Sequence, residues 1–267
     1  MDRHADRFAV NCSLLFTELP VLERPAAAKA AGFDAVEFWW PFSEPVPSQA
    51  QQDEFVTALA DAGVSLIGLN FFGGDLPGGD RGVVSWPGRE QEFRDNARIV
   101  ADLGERTGCR AFNALYGNRL DGVDPDTQDK LALDNLTYAA SAVEAIGGTV
   151  LIEPVSGATG YPLRTADDAV DVITALAERG VTNVALLADL YHLQVNGDDV
   201  ARAIDTHADR IAHVQIADAP GRNEPGTGTL DINGYLDQLS DRGYTGHIAL
   251  EYKPSGATVD SFGWFTR

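Results

Sequence analysis

A chain of 267 residues, 44% of them hydrophobic and 22% charged, has the length of one (β/α)₈ barrel and an ordinary globular composition. Its formal net charge of −20 argues against nucleic acid, whose phosphates need a basic face, and against anionic membrane surfaces. No stretch approaches the ~20 apolar residues of a membrane helix.

The N-terminal MDRHADRFAV is polar and lacks the apolar run of a signal peptide. A first apolar run, Phe8–Leu14, precedes a helix over Ala26–Ala31 that stops at Gly32. Ala35–Trp40 is followed by a helix over Gln49–Ala62, closed by Gly63. Ser65–Phe71 leads into a long loop, Gly73–Gly88, and a helix over Glu90–Thr107. Ala111–Leu115 leads through a loop, Tyr116–Pro125, into a helix reaching Ile146. Thr149–Val155 precedes a helix over Ala166–Arg179, and Val184–Leu190 a helix over Asp198–Ala208. Ile211–Ala217 precedes a helix over Ile232–Arg242, and His247–Tyr252 is the eighth run. The tail Ser255–Arg267, with Phe262, Trp264 and Phe265, is expected to pack on the barrel. Cys12 and Cys109, only two in a chain of this size, read as reduced, buried thiols of a cytoplasmic protein.

Glycine recurs between helix and strand in AAGFDAVEF, DAGVSLIGL, ERGVTNVAL and DRGYTGHIAL, where a left-handed residue closes the helix. The strands are nearly continuous in apolar residues, as parallel strands covered on both faces are. Eight such units predict a single-domain (β/α)₈ TIM barrel over residues 1–267. A doubly wound open sheet is the structural alternative.

In a parallel barrel the site forms at the C-terminal ends of the strands. Glu153 in TVLIEPV, Asp189 in VALLADL, Gln215 in IAHVQIAD and Glu251 in HIALEYKP place one oxygen-bearing side chain at that level on four consecutive strands. Buried carboxylates at one level repel unless a cation sits among them. An oxygen-only donor set suits Mg²⁺ or Mn²⁺. Any one of the four alone is more often a strand-end group bonded to a loop.

His192 stands three residues past Asp189, within reach of a substrate. Arg222, in the loop after the seventh run, has a fork suited to clamping a carboxylate, although Glu224 is a possible structural partner. Lys253 follows Glu251 by two residues and so points to the same side. His213 shares a face with Gln215 but lies deeper, and reads as structural, as do His207 and His247. Glu37 is a further interior or rim carboxylate. SWPGRE, residues 85–90, reads as a lid or as a helix start. No GxGxxG, GxxxxGK[ST] or GxSxG motif and no zinc spacing is present, and GGDLPGGDRG reads as a plain loop.

With these residues in place, the chain resembles the hydroxypyruvate isomerase family of the xylose-isomerase-like barrels. The resemblance runs nearly end to end. It is carried by FAVNCSLLFTELPVLERPAAAKAAGFDAVEFWWPF, SWPGRE, LIEPVS, ADLYHLQ, AHVQIAD with PGRNEPGTG, and LEYKPSG with FGWF. Related sugar epimerases usually carry His where Gln215 stands. The resemblance implies a metal held by Glu153, Asp189, Gln215 and Glu251. It also implies Glu153 and Glu251 as the proton-transferring pair, with His192 and Arg222 as substrate contacts. One departure is Thr229, where many relatives carry Glu.

The implied chemistry is isomerisation of a small hydroxy/oxo acid through an enediolate, from hydroxypyruvate to tartronate semialdehyde or on a four-carbon 2-oxo acid. Ketose 3-epimerisation is the alternative within enzymes. Phosphodiester cleavage would need several His ligands and a basic surface, and a non-catalytic sugar-acid-binding barrel would bind without turnover. A homo-oligomer is the base-rate expectation.

Overall fold

A computed structural model describes residues 2–265. Eight parallel strands close into a barrel in sequence order: β1 (Phe8–Asn11), β2 (Ala35–Phe38), β3 (Ser65–Asn70), β4 (Ala111–Asn113), β5 (Thr149–Ile152), β6 (Val184–Asp189), β7 (Ile211–Ile216) and β8 (Ile248–Leu250). The ring closes where Val10 of β1 pairs with Leu250 of β8. The expected (β/α)₈ architecture is therefore present, and the open-sheet alternative is not.

The outer layer is α1 (Arg24–Ala30), α2 (Gln49–Ala62), α3 (Glu90–Thr107), α4 (Pro125–Glu144), α5 (Ala166–Glu178), α6 (Leu190–Asn196), α7 (Val200–His207) and α8 (Ile232–Asp241). Local sequence accounts for their limits. Ser48 and Gln51 form a reciprocal capping box at the start of α2, and Thr165 and Asp168 do the same for α5. The four expected glycine joins, Gly32, Gly63, Gly180 and Gly243, all have positive φ. On α3, Phe93, Ala97, Val100, Leu103 and Gly104 form one buried stripe at helical spacing, which fixes its seat on the barrel.

All eight strands stop short of the apolar runs that announced them, and three of these shortfalls bear on the cavity. β1 ends at Asn11 rather than Leu14, β4 at Asn113 rather than Leu115, and β5 at Ile152 rather than Val155. Leu14, Leu115 and Val155 are apolar because they line the cavity above the sheet. α6 corrects the reading at the sixth run: Leu190 opens a separate helix, with Asp189 as its N-cap.

The tail packs as expected through Phe265. Trp264 and Phe265 lie edge-on to Phe8 at 5.2 and 5.1 Å, and Phe262 meets Phe33 at 4.8 Å. Thr266 and Arg267 lie outside the described residues. Cys12 and Cys109 are buried and unbridged. No helix among the described residues is long and apolar enough to cross a membrane.

Candidate active site

Each strand delivers a polar residue to the C-terminal mouth of the barrel. These are Asn11, Glu37, Asn70, Asn113, Glu153, Asp189, Gln215 and Glu251, all buried. Backbone register sets several of them side by side: Asn11 with Glu37, Asn70 with Asn113, and Asp189 with Gln215. The four residues read from the later strands thus come together, and the earlier strands complete the ring.

Glu153, Asp189, His192 and Glu251 bring one ligand-type atom each within 4.8 Å of one another. Second partners hold each group in place. Asn113 Nδ2 donates to Glu153 Oε2 at 2.6 Å. Asp189 Oδ1 accepts the amide N–H groups of Tyr191 and His192 at 2.8 and 3.2 Å, as the cap of α6. Trp39 Nε1 and Asn11 Nδ2 donate to Glu251 Oε1 at 2.6 and 3.1 Å.

Glu37 is the hub beneath them. It accepts from Asn11 Nδ2 and Gln215 Nε2, both at 2.8 Å, and shares a 2.6 Å bond with His213 Nε2. Gly68 lies opposite it on β3, where an added Cβ would stand 3.0 Å from Glu37 Oε2. His213 is structural, as its depth indicated, and Glu37 joins it to Gln215 and Asn11.

Three buried oxygens of this ring, Asp189 Oδ2, Gln215 Oε1 and Asn113 Oδ1, are left without a hydrogen-bond partner. Asp189 Oδ2 is free because the helix cap occupies only Oδ1, and Gln215 Oε1 is free because Glu37 fixes the amide nitrogen on its own side. An unpaired buried acceptor is costly. Three carboxylates here face one guanidinium, so two negative charges stay uncompensated if all ionise. Burial first, and then the Asp189 charge, push the Glu153 carboxyl up from its ordinary range. Burial also raises Glu251, against the opposing pull of Arg222. Orphan oxygens and surplus negative charge fit a hard divalent cation.

His192 bridges the carboxylates and the cavity. Its Nδ1 lies 3.1 Å from the amide N–H of Ser156, which can only donate, so the ring proton sits on Nε2. Nε2 points at Asp189 Oδ2 and Glu153 Oε1, at 3.6 and 3.9 Å. Burial lowers the imidazole to about 4, so it is neutral near pH 7.

Arg222 departs from the expected free clamp. Its Nη2 bonds Glu251 Oε2 at 2.6 Å and lies 3.7 Å from Asp189 Oδ2, while its guanidinium stacks on Tyr191 at 5.3 Å. Burial opposes its charge, but Glu251, Asp189 and Glu153 together hold its pKa above the ordinary value. Glu224 does not pair with it and instead accepts from the Ser255 amide. Asp218 shapes the loop that carries Arg222, taking the amides of Gly226, Gly228 and Leu230 on its two oxygens. Thr229 is exposed on that loop, away from the cavity lining.

A cavity of about 400 Å³ opens over this ring. Lys253 stands exposed at its rim. The GGDLPGGDRG segment is more than a connector, since Leu76, Pro77 and Arg81 form one wall. SWPGRE lies outside the lining: Ser85 is buried and Trp86 Nε1 bonds Asn118 O at 2.8 Å, so it serves as a helix start. Trp39, Arg81 and Ser156 were missed by sequence reasoning. Each sits one to a few residues beyond a strand end or in the long loop, with no spacing signal of its own. Asn11, Asn70 and Asn113 did carry a signal, because each closes an apolar run.

Fold and site together define a TIM-barrel protein with a carboxylate-rich centre at the strand ends. The chain belongs to the family described as Xylose isomerase-like TIM barrel, whose model matches residues 25–267. It is 52% identical to a protein of Streptomyces coelicolor provisionally named a hydroxypyruvate isomerase, covering 97% of this chain and 95% of that one. A protein of Cupriavidus necator named 2-oxo-tetronate isomerase is 34% identical, covering 97% and 96%. A solved structure named AP endonuclease, family 2, from Brucella melitensis superposes with a TM-score of 0.87 at 35% identity, covering 97% of both chains.

Proposed function

We propose that this chain is a metal-dependent isomerase of a small 2-oxo, 3-hydroxy acid. The substrate is hydroxypyruvate, giving tartronate semialdehyde, or 2-oxo-tetronate, giving the 3-oxo isomer. The observation that carries this reading is the buried convergence of Glu153, Asp189 and Glu251, with three orphan oxygens among them and their neighbours, at the floor of an open cavity. The names of the relatives point to the same two acids.

Glu153, Asp189, Gln215 and Glu251 would hold Mg²⁺ or Mn²⁺, which supplies Lewis-acid polarisation of the substrate carbonyl. His192 is better placed as a donor than as a ligand, because its Nε2 carries the proton. For hydroxypyruvate, one of Glu153 and Glu251 removes a proton from C3. The C–H electron pair becomes the C2–C3 double bond of the enediolate, and the carbonyl pair moves onto O2. The other glutamate returns a proton to C2, and the hydroxyl proton of O3 passes to O2, so no atom is gained or lost. His192 Nε2–H and Arg222 contact the substrate oxygens, and Lys253 adds positive charge at the rim.

A phosphodiester substrate is disfavoured by the net charge of −20 and by a centre with one imidazole among three carboxylates. Glu153→Gln and Glu251→Gln test the reading directly. Each should lower kcat on the preferred acid about 1000-fold with the near-UV spectrum unchanged. Retention of a tenth or more of wild-type kcat by both variants would sink it.

A further inference from the structure

Arg222 is committed to the carboxylates of the centre, so a substrate acid group needs another cation. Two remain on the cavity lining, Arg81 and Lys253. Lys253 is exposed, where solvent screens a point charge. Arg81 is half-buried and differs in two ways.

First, its guanidinium is only partly used. Nη1 donates to the carbonyls of Leu76 and Asp80 at 3.1 and 2.6 Å, and no carboxylate among the described residues forms an ion pair with it. Nε and Nη2 have no hydrogen-bond partner among the described residues, leaving two donors in fork geometry. Second, its backbone is locked. Arg81 O accepts from Gly117 N at 2.9 Å, and Gly82 N donates to Gly73 O at 2.9 Å. Gly82 holds φ +99° with its Cα against Leu115 O, where a Cβ would stand at 1.8 Å.

We propose that Arg81 is the specificity-determining residue that binds the substrate carboxylate, as a preset fork on the loop between β3 and α3. The inference rests on the isomerase reading, in which the substrate is an acid. Arg222 then serves the reacting end and Arg81 the anionic end, so one positive charge need not do both tasks.

The test compares wild type, Arg81→Ala, Arg81→Lys and Lys253→Ala with Mn²⁺ present. Substrates are hydroxypyruvate and its neutral counterpart dihydroxyacetone, and binding of the unreactive diacid tartronate is followed by calorimetry. Arg81→Ala should weaken tartronate binding and lower kcat/KM on hydroxypyruvate by roughly 100-fold, chiefly through KM. Activity on dihydroxyacetone should change less than threefold. Arg81→Lys should recover part of the loss. An equal loss on acid and neutral substrate, or a loss that follows Lys253→Ala and spares Arg81→Ala, would overturn the assignment while leaving the isomerase reading intact. Wild type that binds tartronate through Arg81 but turns over neither acid nor ketose would keep Arg81 and overturn the isomerase reading. Wild type that does not bind tartronate at all would overturn Arg81.

Discussion

Glu37 touches no cavity, yet it decides what the cavity sees. By accepting both the Gln215 and the Asn11 amide nitrogens on Oε1, with His213 on Oε2, it turns Gln215 Oε1 inward and steadies Glu251 through Asn11. Outer groups of this kind typically control metal affinity by 10- to 100-fold. Glu37→Gln should therefore weaken Mn²⁺ binding by about that factor while the barrel stays folded, as calorimetric titration would show. An unchanged affinity would mean that Gln215 is oriented without its help. Sequence reasoning placed Glu37 in the interior or at the rim of the barrel but had no means of joining it to residues at positions 11, 213 and 215. Only strand closure brings them together. The four later strand ends were legible because each carboxylate or amide follows a clear apolar run. The three asparagines of the first half follow the same rule and were passed over because asparagine at a strand end is also an ordinary turn former.

At the scale of elements, the strand ends were overextended for one physical reason. A cavity wall and a buried strand both need apolar side chains, so Leu14, Leu115 and Val155 read as sheet when they line the pocket. The same ambiguity hid α6. Leu190 and Leu193 are buried helix residues, and the Asp189 cap that begins the helix also frees Oδ2 toward the centre. The loop between β3 and α3 is the element whose role composition concealed, since glycines suggested slack. Instead Asp75 N bonds the Asp80 carboxylate at 2.8 Å and Asn118 Nδ2 bonds Gly79 O at 3.0 Å, which fix the segment. Gly82→Ala would force that loop off Leu115. Its expected signature is a raised KM for the acid with kcat within about threefold of wild type, because the proton-transferring groups lie on other strands. A fall in kcat with KM unchanged would contradict a purely positioning role for the loop.

For the whole molecule, the surface charge and the site chemistry pull in opposite directions. A net charge of −20 repels a small anion at long range, and salt screens that repulsion beyond about 10 Å. Local positive charge must do the rest: Arg81, Arg222 and Lys253 stand around the cavity, and on the proposed reading a divalent cation among the carboxylates would add to them. The role proposed for these groups is to move one proton between neighbouring carbons. Proton NMR in D₂O tests it most directly, with hydroxypyruvate and 2-oxo-tetronate offered to metal-stripped protein before and after Mg²⁺ or Mn²⁺ is returned. Metal-dependent isomerisation of one of the two acids, or deuterium entering at its carbon-bound positions, lost when metal is removed, is the predicted result. No exchange and no product from either acid with either metal would contradict the account.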